Sequence, residues 1–316
     1  MLRVLAAFLL TLAASAHAFH DKPVRFVVGF TPGGPSDILA RALGQKLAER
    51  WGQQVLVENR PGAGGNIAAE AVARSAPDGH TWLLGNNSIL ATNHSLYARL
   101  SYDPVKDFAP VALVAIQPSI LVVHPAVPAN SVSELVFYLK IHPGKLNYAS
   151  SGSGAAAHLA AELFKALAGV DMVHVPYKGA QPALTDVIAG QVQVMFATSA
   201  SVIPYIKAGR LRALAVTTAQ RSASMPELPT VAAAGIAGFE ATTWHGVVVP
   251  AATPAVIVQF LNQQINQVLN QAEFRDRLAG LGAEAAGGTP QDFADYIARE
   301  IPKWSKVVRD SGARAE

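Results

Sequence analysis

Short apolar runs alternate along this chain with longer stretches whose apolar residues recur at helical spacing. The first run, Val24–Phe30, predicts a β-strand, which ends at the loop Thr31–Pro35. An amphipathic helix follows the loop directly. Repetition of this strand–helix unit predicts an α/β fold of parallel sheets covered by helices. The apolar stripe of the first helix comprises Ile38, Leu39, Ala42, Leu43 and Leu47.

The same two patterns continue to the C-terminal region. Further strands are predicted at Val55–Glu58, Thr81–Leu84, Val111–Ala115, Ile120–Val123, Leu146–Ala149, Met172–Val175, Val192–Phe196, Leu211–Thr217 and Trp244–Pro250. Ser131 and Glu134 form a capping box at the start of a helix that ends near Ile141. Other helices are predicted at 66–75, Ala155–Ala168, Pro182–Ala189, Ile203–Ala208, Pro254–Gln271, Phe274–Leu281 and Pro290–Ser311.

Two such strand–helix series predict two α/β lobes. The chain is expected to cross between them near Asp103–Ala112 and Phe239–Trp244. Residues 19–105 and 240–316 would then form the first lobe and residues 106–239 the second. A chain that leaves one lobe, builds the other and returns has two hinge strands and a cleft between the lobes.

Residues 1–18 are predicted to be a secretory signal peptide. Arg3 supplies the positive charge, Val4–Ala14 is apolar, and Ala16-His17-Ala18 is an A-x-A cleavage site. The alternative is an uncleaved membrane anchor, but the apolar run is shorter than the ~18 residues that a spanning helix needs. The mature chain is therefore expected to begin near Phe19 and to be exported.

Composition narrows the classes of partner. With 25 Lys and Arg against 22 Asp and Glu, the formal charge is only +3, and no basic cluster interleaves with aromatic residues. Nucleic acid is therefore not an expected partner. The chain has no Cys, so disulfides cannot stabilise it and packed cores must. We expect a monomer.

Three loops follow predicted strand ends, where ligands bind in open α/β sheets. They are Thr31–Ser36, Gly85–Ser88 and Ser150–Gly154. The first and third open directly into helices, whose N-termini offer unpaired N–H groups and the positive end of a dipole. Two facing lobes would direct these donors at one cleft. That arrangement predicts a site for a small carboxylate without a formal positive charge.

Several side chains near these loops have both a binding and a structural interpretation. Ser151 and Ser153 could face a ligand or cap the loop. Asp37 could contact a bound water, or it could stabilise its own helix by interacting with the positive end of the helix dipole. Phe30 and Trp244 could cover an apolar ligand body, with core packing the alternative for Trp244. The other candidates, each with a structural alternative, are Asn86, Ser88, His158 and Tyr177.

Other chemistries lack their motifs. Gly62-Ala63-Gly64-Gly65-Asn66 begins like a dinucleotide loop, but Ile67 stands where the third glycine belongs. Ser151-Gly152-Ser153-Gly154 is not a G-x-S-x-G elbow, and no acid is assigned to orient His158. His158 and Glu162 at i, i+4 are too few ligands for a metal. We therefore predict no cofactor, no metal and no catalytic residue, with an exported hydrolase as the alternative.

Five segments occur in a fixed order along the chain: VRFVVGFTPGGPSDILAR, VLVENRPGAGGNIAAEAVARSAPDGHTWLLG, YDPVKDFAPVALVA, KLNYASSGSGAAAHLAAELFKALAGVDMVHVPYKGAQPALTDVIAGQVQVMF and IKAGRLRALAVTT. Together they strongly resemble the Bug family, the extracytoplasmic solute receptors of tripartite tricarboxylate transporters. The likeness covers nearly the whole chain from about Val24.

The resemblance implies a periplasmic binding protein of the two-lobed Venus-flytrap type (type II), which captures a small carboxylate through main-chain amides and ordered waters. It also implies membrane subunits of a transporter as partners, with a signalling partner as the alternative. The binding residues would lie within Phe30–Asp37 and Ser150–His158. The complete expected set is Phe30, Thr31, Gly33, Gly34, Pro35, Ser36, Asp37, Asn86, Ser88, Ser151, Gly152, Ser153, Gly154, His158, Tyr177, Thr198 and Ser199.

One departure from the family's pattern bears on the ligand. Many relatives carry an acidic residue and Asn after the Met-Phe of the cleft strand, where this chain has Ala197, Thr198 and Ser199. An acidic side chain could pair with a ligand ammonium group, and Ala197 cannot. The departure therefore argues against a free amino acid as the ligand.

Overall fold

The structure is a computed structural model that describes residues 22–177, 179–222 and 225–314. The predicted signal peptide, with its cleavage after Ala18, lies outside the described residues. Within these ranges no helix has both the length and the apolar character needed to cross a bilayer.

Strands and helices alternate through both lobes. The strands are β1 (Val24–Val28), β2 (Val55–Asn59), β3 (Thr81–Asn86), β4 (Phe108–Gln117), β5 (Ser119–Val123), β6 (Asn147–Ser150), β7 (Val173–Pro176), β8 (Val194–Thr198), β9 (Arg212–Val216), β10 (Thr243–Pro250) and β11 (Glu284–Gly287). The helices are α1 (Pro35–Trp51), α2 (Asn66–Ala73), α3 (Asn93–Leu96), α4 (Val132–Ile141), α5 (Ala156–Ala168), α6 (Ala180–Ile188), α7 (Ser199–Lys207), α8 (Ala255–Leu269), α9 (Ala272–Gly280) and α10 (Pro290–Ser311).

The strands form two sheets, one in each lobe. The first has the order β11-β4-β10-β3-β1-β2 and the second the order β7-β6-β8-β5-β9. The predicted two-lobed α/β fold is confirmed. The sheets are mixed, however, and not purely parallel. β1 runs parallel to β2 and β3, whereas β10 is antiparallel to β3 and β4 because it brings the chain back from the second lobe.

The first crossing between the lobes lies at Pro118. β4 pairs with β10 in the first sheet, and β5, which begins at Ser119, pairs with β8 in the second. The boundary expected at residue 106 would assign β4 to the second lobe, so the observed pairing moves this crossing to the end of β4. The return crossing, expected within Phe239–Trp244, coincides with the start of β10 at Thr243.

Two other differences concern segments with weak patterns. β11 was not predicted, because Glu284–Gly287 contains only Glu, Ala and Gly, which have low β-propensity; it forms as an edge strand paired with β4. Helix α7 begins at Ser199, earlier than the predicted Ile203. The earlier start brings the helix N-terminus to the end of β8, where the cleft lies.

The glycines of the 62–66 segment serve close packing. A Cβ at Gly29 would lie 2.8 Å from the Cα of Gly65, and a Cβ at Gly64 would lie 2.8 Å from the hydroxyl oxygen of Tyr97. Both Gly64 and Gly65 have positive φ, which favours glycine. The segment thus lets a turn lie directly against the end of β1.

The C-terminal helix α10 fixes the returning hinge strand. Trp244 of β10 was expected either to cover the ligand or to pack in the core. It is fully buried in the core. Its Nε1 donates to Glu300 Oε2 at 3.1 Å, and Trp304 Nε1 donates to the same oxygen at 2.7 Å. Residues of α10 also share a buried cluster with Leu159 and Phe164 of α5. One helix therefore packs on both lobes.

Replacing Glu300 tests this connection. Glu300→Ala should lower the free energy of unfolding by about 2–4 kcal/mol, because two buried indole N–H groups lose their acceptor. Urea unfolding followed by circular dichroism would measure it. The control is Asp310→Ala on the same helix, which removes an exposed pair with Lys306 and should cost less than about 1 kcal/mol. Equal losses for the two variants would contradict the assigned role.

Candidate functional site

The first ligand loop joins β1 to α1. Gly34 is the N-cap residue and Pro35 follows at the first helical position, so neither supplies a side-chain cap. Proline has no N–H, and the first N–H donors of the helix are therefore those of Ser36 and Asp37. Gly33 has φ +79°, a conformation that favours glycine. The local sequence thus leaves a helix N-terminus uncapped.

Asp37 braces this loop from inside. Its Oδ2 accepts hydrogen bonds from the Gly33 amide at 2.9 Å and from Arg41 Nε at 3.0 Å. Arg41 also donates to Asn59 Oδ1 at 3.1 Å, and Asn59 Nδ2 donates to the Phe30 carbonyl at 3.0 Å. Burial raises the pKa of Asp37, but the hydrogen bonds from Arg41 and Gly33 outweigh it and hold the pKa below its usual value. Asp37 is therefore ionised, and its carboxylate is hydrogen-bonded to Gly33 and Arg41.

A buried pair ties the loop to the returning hinge strand. Ser36 Oγ lies 2.9 Å from His245 Nε2, and both side chains are buried. Burial lowers the pKa of His245 to about 4, so its imidazole is neutral at neutral pH. Sequence reasoning missed His245. The available signal was its position beside Trp244 at the start of a predicted hinge strand.

The second ligand loop, between β6 and α5, is braced in the same way. The Gly154 amide donates to His158 Nδ1 at 2.9 Å, the same i, i+4 arrangement as Gly33 and Asp37. The His158 ring stacks on His174 with 4.0 Å between centroids, and His174 Nε2 lies 2.6 Å from Ser150 Oγ. Burial lowers the pKa of both histidines, that of His174 to about 4. The α5 N-terminus has no side-chain cap.

Helix α7 supplies a third N-terminus, from the second lobe. Thr198 is its N-cap residue; its side chain is exposed, and its Oγ1 donates to Ser201 Oγ at 3.1 Å. Ser199 is buried and donates to the Pro118 carbonyl at 2.9 Å, so it fixes the crossing. Sequence reasoning missed Ser201 because the predicted helix began after it. The hydroxyl-rich run ahead of Val202 was the signal of an N-terminus.

Asn86 and Tyr177 make side-chain hydrogen bonds elsewhere, and Ser88 belongs to a turn. Asn86 Oδ1 accepts from the Ile89 amide at 3.1 Å and so closes the turn after β3. Ser88 begins the π-helical turn Ser88–Thr92. Tyr177 donates to Asp186 Oδ2 at 2.6 Å; burial and this hydrogen bond raise the pKa of Tyr177 to about 12.

Two adjoining cavities occupy the space at the loops, and Thr198 and Ser201 line both. The larger, of about 330 Å³, lies between the lobes. Its lining is Gly33, Pro35, Ile38, Leu39, Ala115, Gln117, Thr198, Ala200, Ser201, His245, Leu278, Leu281 and Ala283. The smaller, of about 110 Å³, lies mainly in the second lobe. Its lining is Ser119, Ser151, Ala156, Ala157, Ala180, Gln181, Leu184, Met195, Phe196, Ala197, Thr198, Ser201 and Thr243.

Of the predicted set, the linings include Gly33, Pro35, Ser151 and Thr198. Neither lining contains a Lys, Arg, Asp or Glu among the described residues. No group of three His, Asp or Glu side chains in the described ranges could hold a metal ion. The predicted residues outside both linings are Phe30, Thr31, Gly34, Ser36, Asp37, Asn86, Ser88, Gly152, Ser153, Gly154, His158, Tyr177 and Ser199.

The chain is similar to a known protein family, to curated relatives and to solved structures. Residues 39–313 match the model of the tripartite tricarboxylate transporter family receptor. The chain is 37% identical to BugT of Bordetella pertussis, over 99% of this chain and 98% of that one. It resembles the solved structure of R. palustris Rpa4515 with adipate, at 40% identity and TM-score 0.78, covering 93% of this chain and 98% of the other. The structure of MatC from Rhodopseudomonas palustris with bound malate is 35% identical with TM-score 0.73, covering 91% and 99%.

The buried imidazole of His245 predicts a pH dependence of stability. The pKa of His245 is about 4 in the folded protein against an ordinary 6.5, so between these values the unfolded chain binds a proton that the folded protein does not. Stability should therefore fall as the pH falls from about 6.5 to 4, by up to about 3 kcal/mol from this residue.

Urea unfolding between pH 7 and 4 would measure this dependence in the wild type and in His245→Gln. The free energy of unfolding should change less steeply with pH in the variant, by an amount that corresponds to at most one proton taken up on unfolding. His174, whose pKa is also low, contributes equally to both proteins. Parallel curves would show that His245 is not the group responsible.

Proposed function

This chain belongs to the tripartite tricarboxylate transporter receptor family, and we propose that it captures a small organic carboxylate between its lobes. Main-chain amides and ordered waters hold the carboxylate, and the ligand is released chemically unchanged. The relatives solved with adipate and with malate support a carboxylate ligand.

The observation that carries this proposal is the meeting of two uncapped helix N-termini at one cavity. Gly33 and Pro35 belong to the start of α1 in the first lobe, and Thr198 and Ser201 to the start of α7 in the second. Each N-terminus carries unpaired N–H groups and a partial positive charge. Because no charged side chain lines the cavity among the described residues, these dipoles would supply the attraction for an anion.

Such a site can reach useful affinity. A micromolar dissociation constant corresponds to about 8 kcal/mol. Hydrogen bonds to a charged group contribute roughly 1.5–3 kcal/mol each. A partly buried helix N-terminus adds up to about 2 kcal/mol. Three or four such contacts, with burial of the ligand's apolar part, can reach this total, although the cost of ordering reduces it.

Serine–histidine pairs, among them Ser36–His245 and Ser150–His174, could favour the hydrolase alternative, and Ser36–His245 is the pair with a member in a cavity lining. A serine nucleophile needs a base that is itself oriented by an acid. Among the described contacts of His245 no carboxylate is present, and its low pKa makes it a weak base. Ser36 is also buried in the first turn of α1. The pair is better suited to fixing the loop on β10, which favours the receptor.

The remaining parts of the proposal concern cellular context. The protein would act as a monomer in the periplasm after cleavage behind Ala18, and it would deliver its ligand to the membrane subunits of a tripartite transporter. A sensor protein is the alternative recipient. The family relationship supports the location and the transporter.

Calorimetric titration with a panel of small carboxylates, and with amides of the same shape, tests the proposal. Carboxylates should bind and their uncharged amides should not, because the helix dipoles act on the negative charge. Chromatography of the recovered ligand should show it unaltered. Preference for the amides, or conversion of the ligand, would contradict a carboxylate receptor.

Thr198 offers a test by substitution. Thr198→Val removes a cleft hydroxyl at nearly constant shape and should weaken carboxylate binding about three- to tenfold, the equivalent of one hydrogen bond. The matched control is Thr185→Val; Thr185 is exposed on α6, lines neither cavity and should leave affinity unchanged. A similar effect of both substitutions would remove Thr198 from the site.

Ligand-driven closure is a separate expectation. Burial of the carboxylate between the lobes strengthens its hydrogen bonds by excluding water, so the bound protein should favour the closed form. Small-angle X-ray scattering should show a smaller radius of gyration at saturating ligand. Superimposable profiles with and without a ligand of proven affinity would rule out closure on this scale.

A further inference from the structure

Two stacked histidines hold the second candidate loop. His158 of α5 and His174 of β7 lie face to face, with 4.0 Å between ring centroids and 6° between ring planes. His158 Nδ1 accepts from the Gly154 amide at 2.9 Å, and His174 Nε2 lies 2.6 Å from Ser150 Oγ. The two imidazoles, called here the histidine stack, therefore contact both ends of the Ser150–Gly154 loop.

Ser150 extends the contact of His174 into the loop backbone. Its Oγ donates to the Gly152 carbonyl at 3.0 Å and accepts from the Gly152 amide at 3.2 Å. Ser151, which lies between these two residues, lines the smaller cavity together with Ala156, the first residue of α5. A displacement of the loop would therefore reshape the lining of this cavity beside the α5 N-terminus.

The hydrogen bond from Gly154 defines the protonation state of His158. Because an N–H group donates to Nδ1, this nitrogen carries a lone pair, and the neutral ring has its proton on Nε2. A proton on Nδ1 would place two donors against each other and break the bond to the Gly154 amide. His158 also lies in the first turn of α5, where the positive end of the helix dipole opposes a positive charge.

The groups around the stack keep both imidazoles neutral at neutral pH. Burial lowers the pKa of His158, and burial with the neighbouring His158 lowers the pKa of His174 to about 4. Glu162 acts in the opposite direction, but its Oε1 accepts from Tyr148 at 2.5 Å and from Lys165 at 2.9 Å. The other titratable groups on elements packed against the stack and its loop are Asp171, Asp186, His94, Lys303, Lys306 and Asp310.

We propose that the histidine stack positions the second candidate loop for ligand binding only while both rings are neutral, and that its protonation releases the loop and lowers the affinity for a carboxylate. Neither imidazole belongs to either cavity lining, so the two histidines act through the loop and not on the ligand. Affinity is therefore retained above the pH at which the stack takes up a proton and is lost as the pH falls through it. The inference rests on the proposed function and adds proton control to that site.

The first candidate loop should not respond over the same range of pH. Its Gly33 amide donates to the carboxylate of Asp37, whose pKa lies below its usual value. Arg41, the other donor to Asp37, keeps its charge throughout. Acidification to about pH 4.5 therefore leaves this contact intact while it titrates the histidine stack. The two loops thus provide an internal comparison within one molecule.

Calorimetric titration of adipate, or of malate if it binds more tightly, into the wild type and His158→Asn between about pH 7.5 and 4.5 is the test. Asn offers an acceptor oxygen in place of Nδ1 and does not titrate, so the variant should bind within about threefold of the wild type at pH 7.5. The ratio of the wild-type to the variant dissociation constant should then rise about three- to tenfold on acidification. Titration of the ligand and of His245 is common to both proteins and cancels in the ratio.

Two further variants separate the hydrogen bond from other effects. His158→Leu removes the acceptor and should weaken binding about tenfold already at pH 7.5, with little further change on acidification. Binding restored by Asn but not by Leu would identify the acceptor as the important feature. The matched control is His142→Asn; His142 is exposed at the end of α4 and lines neither cavity, so the wild-type pH profile should persist. Circular dichroism at each pH establishes that every protein is folded.

Hydrogen exchange in the ligand-free wild type tests the loop without any variant. Heteronuclear NMR over the same pH range should show that the protection factor of the Gly154 amide, corrected for the intrinsic exchange rate, falls about tenfold. That of the Gly33 amide should stay constant, because its acceptor is a carboxylate that remains ionised. Unchanged protection of Gly154 would overturn the inference whatever the binding result.

The remaining outcomes separate this inference from the proposed function. If a carboxylate binds but the ratio of dissociation constants stays constant, proton control is wrong and the carboxylate receptor stands. An affinity that rises on acidification in the wild type alone would also overturn the inference, because a charged imidazole would then attract the anion. If no carboxylate binds at pH 7.5, the proposed function fails and proton control of affinity fails with it.

Discussion

The candidate ligand loops of both lobes depend on one kind of hydrogen bond, from a loop glycine amide to a side chain in the first turn of the following helix. Gly33 donates to Asp37 and Gly154 donates to His158, each at 2.9 Å and each across four residues. The acceptor is a buried carboxylate in one lobe and a buried, neutral imidazole in the other. These contacts hold each loop at a helix start whose own donors have no side-chain cap. Under the proposed function, these fixed backbone donors would attract an anion with little reorganisation on binding.

This constraint explains why several polar side chains near the cleft do not line it. Asp37, His158, Asn86 and Ser199 each hold a backbone group in place through a side-chain hydrogen bond. The linings consist instead of small, hydroxyl-bearing and apolar residues, together with Gln117, Gln181 and His245. Under the proposed function, the site would take its charge preference from helix dipoles and its shape from the side chains that line the cavities. Those lining side chains are different residues from Asp37 and His158, which hold the loops.

The hinge and the site are physically connected. The buried hydrogen bond of Ser36 joins the start of α1 to His245 on the returning strand, and Ser199 joins the start of α7 to Pro118 at the first crossing. Both helix starts that face the cavity are thus attached to hinge segments. Helix α10 covers the returning strand from behind through Glu300 and also packs on α5. A relative movement of the lobes would therefore also move the N–H donors at the starts of α1 and α7.

The sequence alone determined the features that depend on local pattern: most strands and helices, the two-lobe α/β architecture, the glycine-rich loops at strand ends and the uncapped helix starts. Of the residues predicted to bind the ligand, Gly33, Pro35, Ser151 and Thr198 line the cavities, and their role in binding stays a prediction. Tertiary structure decided the rest, because those features depend on contacts between distant segments. Pro118 could be recognised as the crossing only from the pairing of β4, and the edge strand β11 forms by pairing alone. His245, Leu278 and Leu281 line the larger cavity because the chain returns to the first lobe after building the second, which no local periodicity reveals.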